Sequence, residues 1–348
     1  MSVKIIFNCL KVSVVLIFLL NFQAVLAQSD FTAIDRRLEE SKKELGGNAA
    51  VLVYKDGKQV YQKIMGKEFN IKTQVPISYS SEWLTAALVM CYVDQGKISL
   101  DDKISTYIPI FTKYAKGYIT IRDCLSHLTG IEAEHTRSLF GKKKYENLEE
   151  EVNEFASKRE IESNPGLLFN HSNIGMVLAA RVLEIVTKRS FEQLMQEKIT
   201  RPLMMRNTSF SSFNAVNPSS GAVSTAYDYI IFLNMLLNKG MYNNKRILSE
   251  KAVAEMQKIR TTAQMIGYAP KEMVGYNYGF GEWILSTDTN GNASALACPG
   301  FSGTWPMIDL CRGYTCVIFT KGDLKEEKTA IYSDIKKIID GQIGGTCN

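Results

Sequence analysis

The segment Ile77-Ser-Tyr-Ser-Ser-Glu-Trp-Leu-Thr-Ala-Ala87 sets a phenol, Tyr79, and a carboxylate, Glu82, three residues apart at the head of an apolar run. Leu84, Ala87, Leu88 and Cys91 follow with the spacing of one helical face, so Tyr79 and Glu82 stand one turn apart at the start of a helix. As a nucleophile and base this pair is poor. A free phenol ionises near pH about 10, and a neighbouring carboxylate drives that value higher. Ser78, Ser80 and Ser81 offer other hydroxyls, but the residues three further on are Ser81, Trp83 and Leu84, so none has an amine one turn away. A serine one step along the helix also points about 100° away from the face that carries its neighbour. These serines are expected to cap the helix.

The elements that must hold this helix in place are legible at both ends of the chain. From Ala49 to Lys63, AAVLVYKDGKQVYQK gives two strand-like runs around Asp56-Gly57, a hairpin signal. Near the other end, Gly313 to Lys321 is rich in strand formers, and Glu326 to Ile339 puts Ile331, Ile335, Ile338 and Ile339 on one helical face. The stretch between is mostly helical. The helix after Glu82 closes at Gly96, a left-handed cap, and a second helix buries Ile174, Val177, Leu178, Val182 and Ile185. A large helical region is thus inserted between early and late strands of one sheet. With no repeat and no low-complexity linker, residues 28–348 read as a single domain. Its sheet lobe spans about 30–70 and 290–348, and its helical lobe about 71–289.

At 348 residues and 45% hydrophobic content the chain is a folded protein, not a disordered one. Its first 27 residues place Lys4 and Lys11 before the apolar run Val12 to Leu20 and then the small residues Ala24-Val-Leu-Ala27, the pattern of an export signal cleaved after Ala27. The alternative, a retained anchor, would need about 20 apolar residues. Cleavage leaves no stable membrane anchor and a secreted or periplasmic chain, and it lowers the formal net charge of +5 by two. Such a balance does not suit nucleic acid, and Lys142-Lys143-Lys144 beside the acidic stretch Glu146 to Glu154 reads as a solvated surface. Cys9 leaves with the signal. Of the cysteines that remain, Cys311 and Cys316 bracket Arg312-Gly-Tyr-Thr315, a hairpin-like stretch that could bring them together, although spacing alone does not settle the pairing. Cys91 reads as core packing.

Several segments in order now carry a resemblance. They are Val93-Asp-Gln-Gly-Lys-Ile-Ser-Leu-Asp-Asp102, Tyr107-Ile-Pro109, Ile119-Thr-Ile-Arg-Asp-Cys-Leu-Ser-His-Leu-Thr-Gly130, Pro165-Gly-Leu-Leu-Phe169, Arg201-Pro-Leu-Met-Met205, Ser219-Ser-Gly-Ala-Val-Ser-Thr-Ala-Tyr-Asp228 and Tyr278-Gly-Phe-Gly281. The chain resembles the serine beta-lactamase and penicillin-binding-protein superfamily, nearest the branch of class C beta-lactamases, related esterases and D-amino-acid or D-Ala-D-Ala peptidases. The likeness implies a beta-lactamase-like α/β (α+β) fold, an antiparallel sheet flanked by helices with the large helical insertion.

It also implies three catalytic motifs, each altered here. The family's Ser-x-x-Lys, in which an amine activates a hydroxyl one turn away, falls on Tyr79 and Glu82. Its Tyr-x-Asn falls on His171 and Asn173; histidine can carry protons, and the asparagine that orients a substrate amide is kept. Its Lys- or His-Thr-Gly strand falls on Cys298-Pro-Gly-Phe-Ser-Gly303, so the substrate-binding positions are Asn173, Cys298, Gly300 and Ser302, and the cation is gone. His127 lies in a segment that is structural in relatives and reads as a packed, hydrogen-bonded side chain, and His135 as loop surface.

Three readings follow. In the first, the chain is a pseudoenzyme whose cleft binds a small-molecule or peptidoglycan-like ligand, or a protein partner, without cofactor; loss of the nucleophile costs a serine enzyme on the order of 10⁶-fold in rate. In the second, Tyr79, Glu82, His171 and Cys298 converge and a Cys–His pair or a rearranged serine supports hydrolysis or acyl transfer. In the third, Glu82, His171 and Cys298 offer the oxygen, nitrogen and sulfur donors of a zinc site.

Overall fold

The computed structural model describes residues 30–345 and 347, apart from 68 and 134–143. The leader through Ala27, Cys9, His135 and the Lys142-Lys143 pair lie outside the described residues.

The chain opens with helix α1 (Thr32–Glu40) and the hairpin β1 (Ala49–Lys55) and β2 (Lys58–Met65). The turn at Asp56-Gly57 has positive φ at both residues, 51° and 73°, the geometry that matches strand twist and that Asp-Gly tolerates. Five late strands complete the sheet: β3 (Asn277–Tyr278), β4 (Trp283–Thr287), β5 (Ala293–Ala297), β6 (Thr304–Asp309) and β7 (Tyr314–Thr320). The order is β2-β1-β7-β6-β5-β4-β3 and every pairing is antiparallel. β3 and β4 join it ahead of the boundary near 290 read from the sequence. Ala49 faces Thr320 and Lys55 faces Tyr314, so strands from opposite ends of the chain meet mid-sheet.

β1 and β7 read as near-continuous apolar runs because both faces of the sheet are covered. Ala49, Val51, Val53, Cys316 and Ile318 face α1 and the terminal helix α7 (Glu326–Ile343), which contributes Ile331, Ile335 and Ile339. Ala50, Leu52, Val317 and Phe319 face the helical region, reached through α6 (Ala226–Leu237). Successive residues point to opposite faces, so each strand serves two cores at once.

The helical region is built on α2 (Ser81–Asp94), whose residues Ser81 to Tyr92 are all buried. The apolar stripe read from the sequence is one side of a helix enclosed all round. It ends with Gly96 at φ 65°, the expected left-handed cap. Against it lies α5 (Ile174–Thr187), with Ile174, Val177, Leu178 and Val182 buried and Ile185 at the margin. Two shorter helices, α3 (Ile121–Leu125) and α4 (Leu148–Lys158), pack on α5. Among the described residues no helix is long and apolar enough to cross a membrane.

The cysteine pairing differs from the hairpin expectation. Cys311 is bonded to Cys347, beyond α7, while Cys316 is a free, buried thiol. The register explains this. Asp309 faces Tyr314, so Cys311 sits in the turn between β6 and β7, whereas Cys316 is inside β7 opposite Met307. Cys91, Cys124 and Cys298 are also free and buried.

The 311–347 bond closes a loop of 36 residues around β7 and α7. Chain-entropy reasoning gives such a cross-link about 4 kcal/mol. Cys347→Ala should therefore lower the unfolding free energy by that order in denaturant titrations. A variant as stable as the parent, with a parent indifferent to reductant, would count against the tether.

Candidate active site

The chain enters α2 through a 3₁₀ turn, Ser78–Ser80, with Ser78 at φ 46°. Such a backbone costs an L-residue on the order of 1 kcal/mol, and Ser81 holds it: its Oγ donates to Ser78 O at 2.6 Å and accepts the Ala222 N–H at 3.1 Å. Ser80 Oγ donates to Cys298 O at 2.6 Å and lies 3.0 Å from Thr304 Oγ1. Neither serine caps the helix, contrary to the sequence expectation. The residues before α2 are already helical, so its first N–H groups face into the preceding turn and the hydroxyls tie the helix to neighbouring segments instead.

Tyr79 is half-buried, its ring edge-on to His171 at 4.8 Å and to Phe301 at 5.1 Å. Burial, with the Glu82 charge adding, pushes its phenol up to about 12. Glu82 is 1% exposed. Ser219 Oγ donates to its Oε1 at 2.6 Å; around Oε2 stand Tyr278 Oη at 2.8 Å, His171 Nε2 at 3.1 Å and His127 Nε2 at 3.3 Å. Burial alone would push the Glu82 carboxyl up, but His171 and His127 beside it outweigh that and hold it below its ordinary value. It is an anion surrounded by partners, the reverse of a base with a proton to collect. Burial in turn lowers the His127 imidazole, against the pull of Glu82.

Each partner arrives from a different element. Thr120 and Asp123 form a capping box that starts α3. The chain then leaves α3 through His127 at φ 54° and Gly130 at φ 70°, where a Cβ would meet Ser163 O at 2.1 Å. His171 follows the short strand Phe169–Asn170, fixed by its N–H to Tyr268 O at 3.1 Å, and precedes α5. Its ring leans on Trp283 at 5.5 Å, and His127 packs on Phe169 at 5.7 Å. Tyr278 ends β3, and the turn after it presses on α2: a Cβ at Gly281 would meet Glu82 O at 2.6 Å. Ser219 is set by Asn217, whose Oδ1 accepts the Ser219 and Ser220 N–H groups at 3.0 Å.

Tyr79, Glu82 and His171 thus come together as the sequence suggested. Cys298 does not join them as a donor: its thiol is 1% exposed, donates to Tyr79 O at 3.2 Å and is pushed well above its usual value by burial. The oxygen and nitrogen donors that cluster are Glu82, His127 and His171, so the third place expected for Cys298 is taken by His127. Asn173 turns away, its Nδ2 donating to Glu151 Oε1 at 3.0 Å on α4. Gly300 and Ser302 are committed to the main chain. Gly300 N–H binds Thr304 O at 2.8 Å, and its Cα lies so close to Ile77 that a Cβ would meet Ile77 O at 2.0 Å; Ser302 Oγ donates to Pro76 O. These contacts join the segment after β5 to the entry to α2. His127, Ser219 and Tyr278 were missed as site residues. The scarcity of histidine, three in the chain, was the one available signal.

Beside the cluster, Glu282 is fully buried, and neither carboxyl oxygen has a hydrogen-bond partner among the described residues. Burial pushes this carboxyl well above the usual range, with the nearby Phe280 N–H and then Arg260 only partly opposing.

The sequence profile of the Beta-lactamase family matches residues 34–336. Protein flp of Staphylococcus aureus (strain MW2) is 26% identical over 176 residues, 48% of this chain and 35% of that protein, so the match spans about a third of the relative's length. Among solved structures, a Bacteroides dorei DSM 17855 protein with a provisional beta-lactamase assignment superposes with a TM-score of 0.82 at 26% identity, over 90% of this chain and 99% of that one. EstCE1, described as a hydrolase with promiscuous acyltransferase activity, superposes with a TM-score of 0.74 at 20% identity, over 88% of this chain and 98% of its own.

Two stability measurements check the electrostatics. Glu82→Ala strips the anion from two buried imidazoles and should cost about 3 kcal/mol in denaturant unfolding; a change near zero would mean the cluster is not coupled. Glu282 ionises near its ordinary 4.5 when unfolded and higher when folded. Its stability is therefore greatest below pH 4.5 and declines as pH rises toward the folded value. Glu282→Gln should match the parent at pH 4 and exceed it in stability at pH 7, and a difference independent of pH would refute the assignment.

Proposed function

The chain belongs to the beta-lactamase family, and on that premise we propose that it is an exported, catalytically inactive member whose serine-hydrolase-like scaffold binds a ligand or partner without turning it over. The observation that carries this reading is the Glu82 carboxylate, set where the family's chemistry calls for an amine and saturated by Ser219, Tyr278 and two histidines. A hydroxyl needs a nearby base to become a nucleophile at neutral pH. Ser80 and Ser81 instead spend their hydroxyls on main-chain groups, and the Tyr79 phenol is harder to ionise than in water.

The Cys298–His171 alternative loses ground for a related reason. A thiol must be a thiolate to attack, and Cys298 is sealed, hydrogen-bonded to Tyr79 O and raised in pKa. Export is supported by the leader-like first 27 residues and by the Cys311–Cys347 bond, which persists in oxidising compartments. The ligand classes that fit are a small-molecule or peptidoglycan-like ligand, or a protein partner; the altered third motif disfavours one recognised by its carboxylate.

Incubation with a fluorophosphonate, an activated ester and a chromogenic cephalosporin, followed by intact mass measurement, tests the reading. The expected result is an unmodified chain and no turnover above buffer. A covalent adduct on Tyr79, Ser78, Ser80, Ser81 or Cys298 would overturn it.

A further inference from the structure

Glu82, His127 and His171 have the donor types and the spacing of a metal centre. One ligand atom from each lies within 4.8 Å of the other two, and all three side chains are buried. Glu82 Oε2 is 3.1 Å from His171 Nε2 and 3.3 Å from His127 Nε2. Ligands bound at about 2.1 Å to a tetrahedral ion stand about 3.4 Å from one another. An ion between these atoms needs little movement of any of them.

Tyr278 Oη, His171 Nε2 and His127 Nε2 all converge on Oε2, at 2.8, 3.1 and 3.3 Å. Each imidazole nitrogen carries either a proton or a lone pair according to tautomer. In the lone-pair form both nitrogens are able to face a cation beside Oε2. Tyr278 Oη, 3.0 Å from His127 Nε2, stands where a fourth donor belongs. Around them, Ser219 orients the carboxylate through Oε1, and the rings of Phe169 and Trp283 pack on the imidazoles of His127 and His171. The Ser172 N–H donates to His127 Nδ1 at 3.5 Å, so binding an ion at Nε2 requires the imidazole proton to move to Nδ1 and this contact to relax.

We infer that Glu82, His127 and His171, with Tyr278 as fourth donor, bind one divalent first-row transition ion, zinc(II) by the nitrogen-and-oxygen donor set. The ligands come from α2, the turn after α3, the entry to α5 and β3, so the ion ties the helical region to the sheet. Buried behind the Tyr79 and His171 rings, it serves as a clamp, not as a centre that activates water.

The test uses the mature chain, stripped with a chelator, reloaded with zinc chloride or cobalt chloride and freed of excess ion by buffer exchange. The expected results are one ion per chain by elemental analysis, a visible absorption spectrum for the cobalt form, and a melting temperature several degrees higher on loading. His127→Gln and His171→Gln should each abolish stoichiometric uptake while Cys298→Ser retains it. A folded parent chain that keeps only substoichiometric traces after reloading overturns the inference, as does uptake unchanged in both histidine variants. Metal content and spectrum are read on the parent itself, so a variant that misfolds does not blunt the test. They are also independent of covalent labelling, so this inference and the loss of turnover fail separately.

Discussion

A carboxylate removed from water must be met by positive charge or by hydrogen-bond donors, and Glu82 imposes that demand at the junction of four elements. The effective cost of an unmet buried ion is several kcal/mol, comparable to the whole stability of many domains. Ser219, Tyr278, His127 and His171 answer it from separate segments. Their backbones are fixed in turn by a capping box, two left-handed residues and glycines pressed on carbonyl oxygens. The same partners hold Glu82 in its ionised form.

The head of α2 is packed as tightly: Tyr79 lies between His171 and Phe301. Cys298 O, Gly300 and Ser302 then meet the 76–80 segment directly. An aromatic packed on aromatics and a strand end packed on main chain stabilise the fold at the head of α2.

Much of the scaffold was legible because it rests on local rules. Asp56-Gly57 specified its turn, Gly96 its cap, and the isoleucines of α7 their buried face. Tyr79, Glu82 and His171 were found through motif spacing. What escaped depends on backbone geometry that spacing does not encode. His127 reaches Glu82 because the chain turns left-handed after α3; Ser219 does so through an Asn217 turn; Tyr278 is brought in by sheet register. The serines were misread as caps because a 3₁₀ turn precedes α2, and Cys311 found Cys347 because the register places Cys316 two residues inside β7.

The meeting of β1 with β7 has a consequence for biogenesis. Residues 49–55 find their inner neighbour only in residues 314–320, so the middle of the sheet has no edge to close on until nearly all of the polypeptide has left the ribosome. Contacts this distant in sequence are the slow ones to form. A sheet completed last leaves its middle strands unpaired through most of the chain's synthesis.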